Sequence, residues 1–72
     1  MTMIPTMIRV NGQAEPLGVA SVAELLAGRG IGPETPAVAV ALNGAVVRRA
    51  QWADTPLNPG DELEIVRPFQ GG

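Results

Sequence analysis

Residues 7–31 read MIRVNGQAEPLGVASVAELLAGRGI, and this stretch decides the fold. Met7-Ile8-Arg9-Val10 alternates apolar and polar side chains and runs into Asn11-Gly12. Asn-Gly is the strongest short hairpin signal, because both residues tolerate the positive φ of a type I′ turn. Gln13 to Leu17 is then the returning strand. Pro16 has no N–H to give a ladder, which confines that strand to a sheet edge. Ser21-Val22-Ala23-Glu24 follows as a capping box: Ser21 Oγ accepts the Glu24 backbone N–H, and the Glu24 carboxylate reaches back. Val22, Leu25 and Leu26 then form one apolar stripe on a helix spanning about 22–29. Gly30 suits the left-handed position beyond the helix end, where Ile31 meets Leu26 as the Schellman contact.

Beyond the helix, Gly32-Pro33-Glu34-Thr35-Pro36 is a rigid loop. Val38, Val40 and Leu42 share one strand face, and Ala39 and Ala41 the other. A second Asn-Gly, Asn43-Gly44, turns the chain into Ala45-Val46-Val47-Arg48. Arg49 to Leu57 is expected to be irregular, with Trp52 plugging a satellite cluster rather than displayed for recognition. Asn58-Pro59-Gly60-Asp61 places Pro and Gly where a type II turn wants them. The last strand is Leu63-Glu64-Ile65-Val66-Arg67, with Leu63 and Ile65 inward. Val66 then shares the opposite face with Ala39 and Ala41. The order of strand, strand, helix, strand, strand, strand implies an α+β domain. Its sheet of about four to five strands has one helix covering one face.

Composition narrows the chemistry. At 72 residues the chain is one domain near the lower limit of size for an unstapled fold. It has no cysteine, hence no disulfide, thiolate nucleophile or cysteine metal site. It has no histidine either, so the usual neutral-pH base and commonest metal ligand are missing. A net charge of −2, with one Phe and one Trp, argues against nucleic-acid binding. The apolar run Ala37 to Leu42 is too short to cross a bilayer. Met1 to Thr6 lacks the regions of a signal peptide, so a cytoplasmic location is expected. No carboxylate pair is set in an apolar pocket that so short a chain can build, which argues against an enzyme in its own right.

What remains is the chain terminus. Arg67 is followed by Pro68-Phe69-Gln70-Gly71-Gly72. Pro68 stops ladder pairing, and the residues after Arg67 reach at most about 17–18 Å past the sheet. Gly71 and Gly72 make a thin end, open to backbone angles closed to other residues, that a narrow active site in another protein can accept. On composition alone, a frayed terminus explains the two glycines equally well.

The segment Val46-Val47-Arg48-Arg49-Ala50-Gln51-Trp52-Ala53, with Leu57, Gly60-Asp61, Glu64-Ile65-Val66 and the closing Pro68-Phe69-Gln70-Gly71-Gly72, resembles the ThiS family. These are the sulfur carriers of bacterial thiamine biosynthesis. The likeness runs from about Met7 to Gly72; its specific parts are the Arg-x-x-Trp step, the Gly-Asp before the last strand and the terminal Gly-Gly. The family often has Pro where Arg48 stands. The resemblance implies a ubiquitin-like β-grasp domain over residues 7–67, with the first and last strands paired in the sheet centre. Residues 1–6 are then an N-terminal extension and residues 68–72 a flexible tail. It implies that a ThiF-type enzyme, using ATP and Mg, adenylates the Gly72 carboxylate. A sulfur donor fed by a cysteine desulfurase converts it to a thiocarboxylate, and the thiazole synthase ThiG takes the sulfur. The carrier itself holds no cofactor. Gly71, Gln70 and Phe69 are then the residues a partner reads beside Gly72.

Three other functions remain compatible with such a chain: a MoaD-like small subunit of molybdopterin synthase, a ubiquitin-like protein modifier, and an interaction module with an inert tail. The MoaD-like tail usually carries two prolines before the glycines and lacks the Arg-x-x-Trp step. Val66 and Phe69 are candidate partner-docking residues, an apolar patch beside the departing tail. Asp61, Glu62 and Glu64 lie close enough to steer it toward a basic partner, or else form a solubilising edge. Arg49 reads as a solvated surface arginine.

Overall fold

The computed structural model describes residues 6–67. Five strands form one sheet in the order β2-β1-β5-β3-β4. They are β1 (Met7–Val10), β2 (Gln13–Pro16), β3 (Ala39–Leu42), β4 (Ala45–Val46) and β5 (Glu62–Val66). One helix, α1 (Val22–Ala27), lies between β2 and β3, and a 3-10 helix (Arg49–Asp54) between β4 and β5. β1 and β5 pair in parallel at the centre, while β1–β2, β3–β4 and β3–β5 are antiparallel. The mixed sheet with one helix on one face is the β-grasp arrangement expected from the resemblance.

Both Asn-Gly turns behave as their chemistry requires. Asn11 and Gly12 have φ of 51° and 84°, and Asn43 and Gly44 have 52° and 85°, the left-handed pair of a type I′ turn. β2 is an edge strand, as Pro16 demands, and it ends at Pro16 rather than Leu17. The second hairpin is shorter than expected. Only Ala45–Val46 counts as strand, although one more bond, Val47 N–H to Val40 O at 2.8 Å, carries the ladder far enough to bury Val47.

The helix is six residues, Val22–Ala27, followed by a turn through Gly30 in place of the expected continuation to about residue 29. Its end is the Schellman arrangement: Ile31 N–H donates to Leu26 O at 2.9 Å and Gly30 N–H to Ala27 O at 3.0 Å. Gly30 takes φ of 80°, open to glycine at no steric cost. At the start, Ser21 Oγ accepts from Glu24 N–H at 3.2 Å. The Glu24 carboxylate reaches one residue farther than a standard capping box, accepting from Ala20 N–H at 2.8 Å. The shift fits a second constraint, because a β-bridge pairs Ser21 with Pro56. Val22 N–H donates to Thr55 O and Leu57 N–H to Ala20 O.

The segment Arg49 to Leu57 corrects the expectation of irregular chain. Arg49–Asp54 is a 3-10 helix packed against α1. A run of i→i+3 bonds has no hydrophobic period of the α kind, so pattern reading does not find it. The type II turn at Asn58–Asp61 is present, with Gly60 at φ of 83° and Asp61 N–H donating to Asn58 O at 3.1 Å. The last strand starts one residue earlier than expected and ends at Val66.

The core lies between the sheet and α1. From the sheet come Ile8, Val10, Val40 and Leu63; from α1 come Val22, Leu25 and Leu26, all buried in one cluster. Register accounts for this: Leu63 stands opposite Val10 on one side and Leu42 on the other. Leu63 is 0 % exposed within the central strand. Leu63→Ala is therefore expected to cost about 2–5 kcal/mol. Against a total of roughly 4–11 kcal/mol for a domain this size, urea denaturation should find the variant near or past its unfolding threshold.

Candidate functional site

Val66 stands directly opposite Ala39 on the sheet face away from α1, and Ala41 stands opposite Val46 on the same face. Val46 and Val66 are the two exposed large hydrophobics among the described residues, at 79 % and 63 %. An apolar stripe thus crosses β4, β3 and β5 and ends at the last strand residue, as the alternation of Leu63, Ile65 and Val66 implied. Val46 extends the patch and was not singled out from the sequence. Its signal was the Asn43-Gly44 turn, whose two-residue geometry places Val46 across from Ala41. Phe69, Gln70, Gly71 and Gly72 lie outside the described residues.

The acidic group resolves into different roles. The Asp61 carboxylate accepts from Asn43 Nδ2 at 3.0 Å through Oδ1 and from Asn58 N–H at 2.8 Å through Oδ2. It is thus committed to closing the turn that feeds β5. Glu62 and Glu64 are exposed on the open face with Arg9, which stands opposite Glu62. The apolar stripe runs over β4, β3 and the end of β5, with Glu64 at its border opposite Ala41 and Glu62 and Arg9 farther off. Among the described residues no three acidic side chains converge closely enough to hold a metal ion.

Trp52 and Arg49 are structural, and both expectations need adjusting. Trp52 is 3 % exposed and belongs to the main core rather than a satellite of it. Its indole N–H donates to Val47 O at 3.2 Å, satisfying the one polar atom that burial would otherwise strand. Arg49 is half-buried rather than freely solvated. Its guanidinium lies 4.7 Å from the Trp52 ring centroid and donates to Pro33 O at 2.8 Å. The Arg-x-x-Trp step thus places a stacked pair on one side of the 3-10 helix, joining the Gly32–Pro36 loop to the core. Sequence distance concealed this, because Pro33 and Arg49 meet only once the helix and sheet have packed.

Two elements end beside the exit of β5. The β1–β2 turn holds Asn11 against Ile65. The turn after α1 presents Arg29, paired with Glu15 across the mouth of an open hollow that Ile65 and Arg67 also line.

A five-stranded β-grasp sheet, with its C-terminal strand at the centre and an apolar stripe beside that strand's end, defines a class of small ubiquitin-like proteins. Comparison with known proteins places the chain within that class. The ThiS family model matches residues 7–72, and the chain belongs to that family of sulfur carriers. A sulfur carrier protein ThiS from Thermus thermophilus is 36 % identical over 66 residues, which are 92 % of this chain and all of the relative. The crystal structure of the thiamine biosynthesis protein ThiS from Geobacter metallireducens superposes with a TM-score of 0.71 at 32 % identity. It covers 92 % of this chain and 99 % of that one. The family expectation drawn from residues 46–53 and the closing Gly-Gly is borne out.

A structural role for Trp52 has a distinct signature. Trp52→Phe keeps most of the ring but leaves Val47 O without its donor, and should cost about 1–3 kcal/mol in chemical denaturation. The folded fraction should retain full carrier activity; a loss of activity without a loss of stability would instead mark Trp52 as a recognition residue.

Proposed function

We propose that this chain carries sulfur as a thiocarboxylate on Gly72 and delivers it for thiazole formation in thiamine biosynthesis. The observation that carries the reading is a family match running unbroken through the terminal Gly71-Gly72. It is joined to a fold whose C-terminal strand lies at the centre of the sheet, with neighbours on both sides.

A carboxylate is a poor acyl donor, and the chemistry begins by correcting that. Within a ThiF-type enzyme, a Gly72 carboxylate oxygen attacks the α-phosphorus of ATP. Pyrophosphate leaves, with the enzyme's Mg balancing its charge, and an acyl adenylate remains. The terminal sulfur of a persulfide, supplied through a cysteine desulfurase, then displaces AMP and forms an acyl disulfide. A thiol attacks the donor's sulfur of that disulfide, and the Gly72 thiocarboxylate departs as the donor becomes a disulfide. Thiazole synthase, of the ThiG type, accepts the sulfur and returns the carboxylate. In this sequence the chain is the substrate of its partners' catalysis and keeps no cofactor of its own. Its contributions are a narrow terminus that fits a deep site and a surface by which partners hold it. Gly71, Gln70 and Phe69 are the residues such a site reads. The stripe of Val46, Ala41, Ala39 and Val66 is a surface of the right character beside the strand end.

Incubation with a cognate activating enzyme, ATP and a sulfide source should raise the intact mass by about 16 Da as sulfur replaces one oxygen. Deleting Gly71 and Gly72 should abolish the gain while leaving the thermal unfolding curve unchanged. No gain with an enzyme that is active on its own carrier would overturn the reading. For the docking surface, Val66→Asp and Phe69→Asp should each lower adenylation and thiazole formation at least about tenfold with the fold intact. Wild-type rates in both would remove these residues from recognition.

A further inference from the structure

Asn11 does more than form a turn. In the parallel β1–β5 ladder, Arg9 N–H donates to Asp61 O at 3.0 Å and Asn11 N–H to Leu63 O at 2.9 Å. The next two bonds of a regular ladder would run from Ile65 N–H to the Asn11 backbone carbonyl, and from the residue 13 N–H to Ile65 O. Neither partner is in place, because the left-handed backbone of Asn11, φ 51°, has already turned the chain away. The side chain supplies both instead. Asn11 Oδ1 accepts from Ile65 N–H at 2.7 Å, and Asn11 Nδ2 donates to Ile65 O at 3.3 Å. One side-chain amide thus stands in for a missing peptide group and continues the ladder by a rung.

The other asparagine turn does the same at the opposite end of β5. Asn43 N–H donates to Glu62 O at 2.7 Å, and Glu62 N–H is accepted at 2.9 Å by Asn43 Oδ1 rather than by the Asn43 backbone carbonyl. This bonded pair also sets the alternation along the β3–β5 ladder. Glu64 and Val66 bond toward β3, while the Ile65 peptide groups point toward β1 and meet only the Asn11 amide there. Among the described residues, β5 beyond Ile65 has support from the β3 side alone, through Val66 opposite Ala39.

We propose that Asn11 is a positioning residue for the activation of the chain terminus: its amide fixes Ile65 on the β1 side and thereby sets where, and in which direction, the chain leaves the sheet. The proposal rests on the reading of Gly72 as the activated residue. Without the clamp, the last strand residues detach from β1, and the partner must order them on binding, which raises KM rather than lowering kcat.

Asn11→Gly tests this with the turn preserved, since glycine adopts the same positive φ freely. Residue-resolved hydrogen exchange should show the Ile65 amide exchanging at least about tenfold faster, with the Arg9 amide, at the far end of the same ladder, unchanged. In ATP–pyrophosphate exchange by a ThiF-type enzyme, the KM for the variant carrier should rise about three- to tenfold, with kcat within about twofold of wild type. Asn11→Asp keeps the acceptor for Ile65 N–H but sets a second oxygen against Ile65 O in place of the Nδ2 donor, so Ile65 protection and KM should fall between those of the wild type and the glycine variant. It also decides the matter if the glycine variant does not fold. Unchanged Ile65 exchange, freed Ile65 with an unchanged KM, or an aspartate variant as impaired as the glycine one would each overturn the proposal. If the wild-type chain is not adenylated at all, the Gly72 reading fails and takes the kinetic part with it. The exchange data would still decide the clamp.

Discussion

The structure depends on the parallel pairing of β1 with β5. It joins residues from opposite ends of the chain, as between Asn11 and Ile65, 54 positions apart. Every other element is arranged around that junction. A parallel pair needs a long crossover, and the intervening chain provides it as a helix, a hairpin and a 3-10 helix. The helix can then cover the pair on one side only, which leaves the opposite sheet face to solvent. Leu63, on β5, has the β1 and β3 residues beside it and α1 in the core beneath, and it is fully excluded from water. Burying such a side chain contributes about 1.5–3 kcal/mol, a large share for so small a domain.

The same arrangement explains why the strand preceding the terminus is rigid. β5 is bordered by β1 over its first residues and by β3 as far as Val66, and asparagine amides from the two hairpin turns hold it at Glu62 and at Ile65. Its entry is fixed further by the Asp61 carboxylate, which binds Asn43 and Asn58 together. The proposed role of Gly72 gains from such anchoring. The chain then leaves the sheet from a defined point. The carrier can remain chemically bare, without histidine or cysteine, because its task is to present a group and not to transform one.

Much of this was legible in the residues. Asn11-Gly12 and Asn43-Gly44 announced two hairpins, and their positive φ angles follow from the only backbone a type I′ turn allows. Ser21 and Glu24 marked the helix start, and Gly30 with Ile31 its end. The alternation from Leu63 to Val66 placed Val66 on the open face, where it lies. The elements that escaped were those without a local period. The 3-10 helix of Arg49–Asp54 has no amphipathic repeat to read. Nothing around Ala37 signals its left-handed backbone, φ 58°, which no glycine eases. Arg49 looked like a surface charge because Trp52 and Pro33, the groups it touches, converge only in three dimensions.

The sequence by itself determined the order of elements, the two turns, the helix caps, the inward face of each main strand and, through the terminal Gly-Gly and the Arg-x-x-Trp step, the family. These depend on interactions within a few residues of one another, or on alternation along a single strand. Only the tertiary structure decided what those residues do a second time. It made the two turn asparagines into surrogate peptide groups for β5, and set Arg49 across Trp52 against the loop at Pro33. It also joined Val46 to Val66 in one stripe beside the strand end. Each of these brings together groups far apart in the chain, and such a contact exists only after β1 and β5 have met.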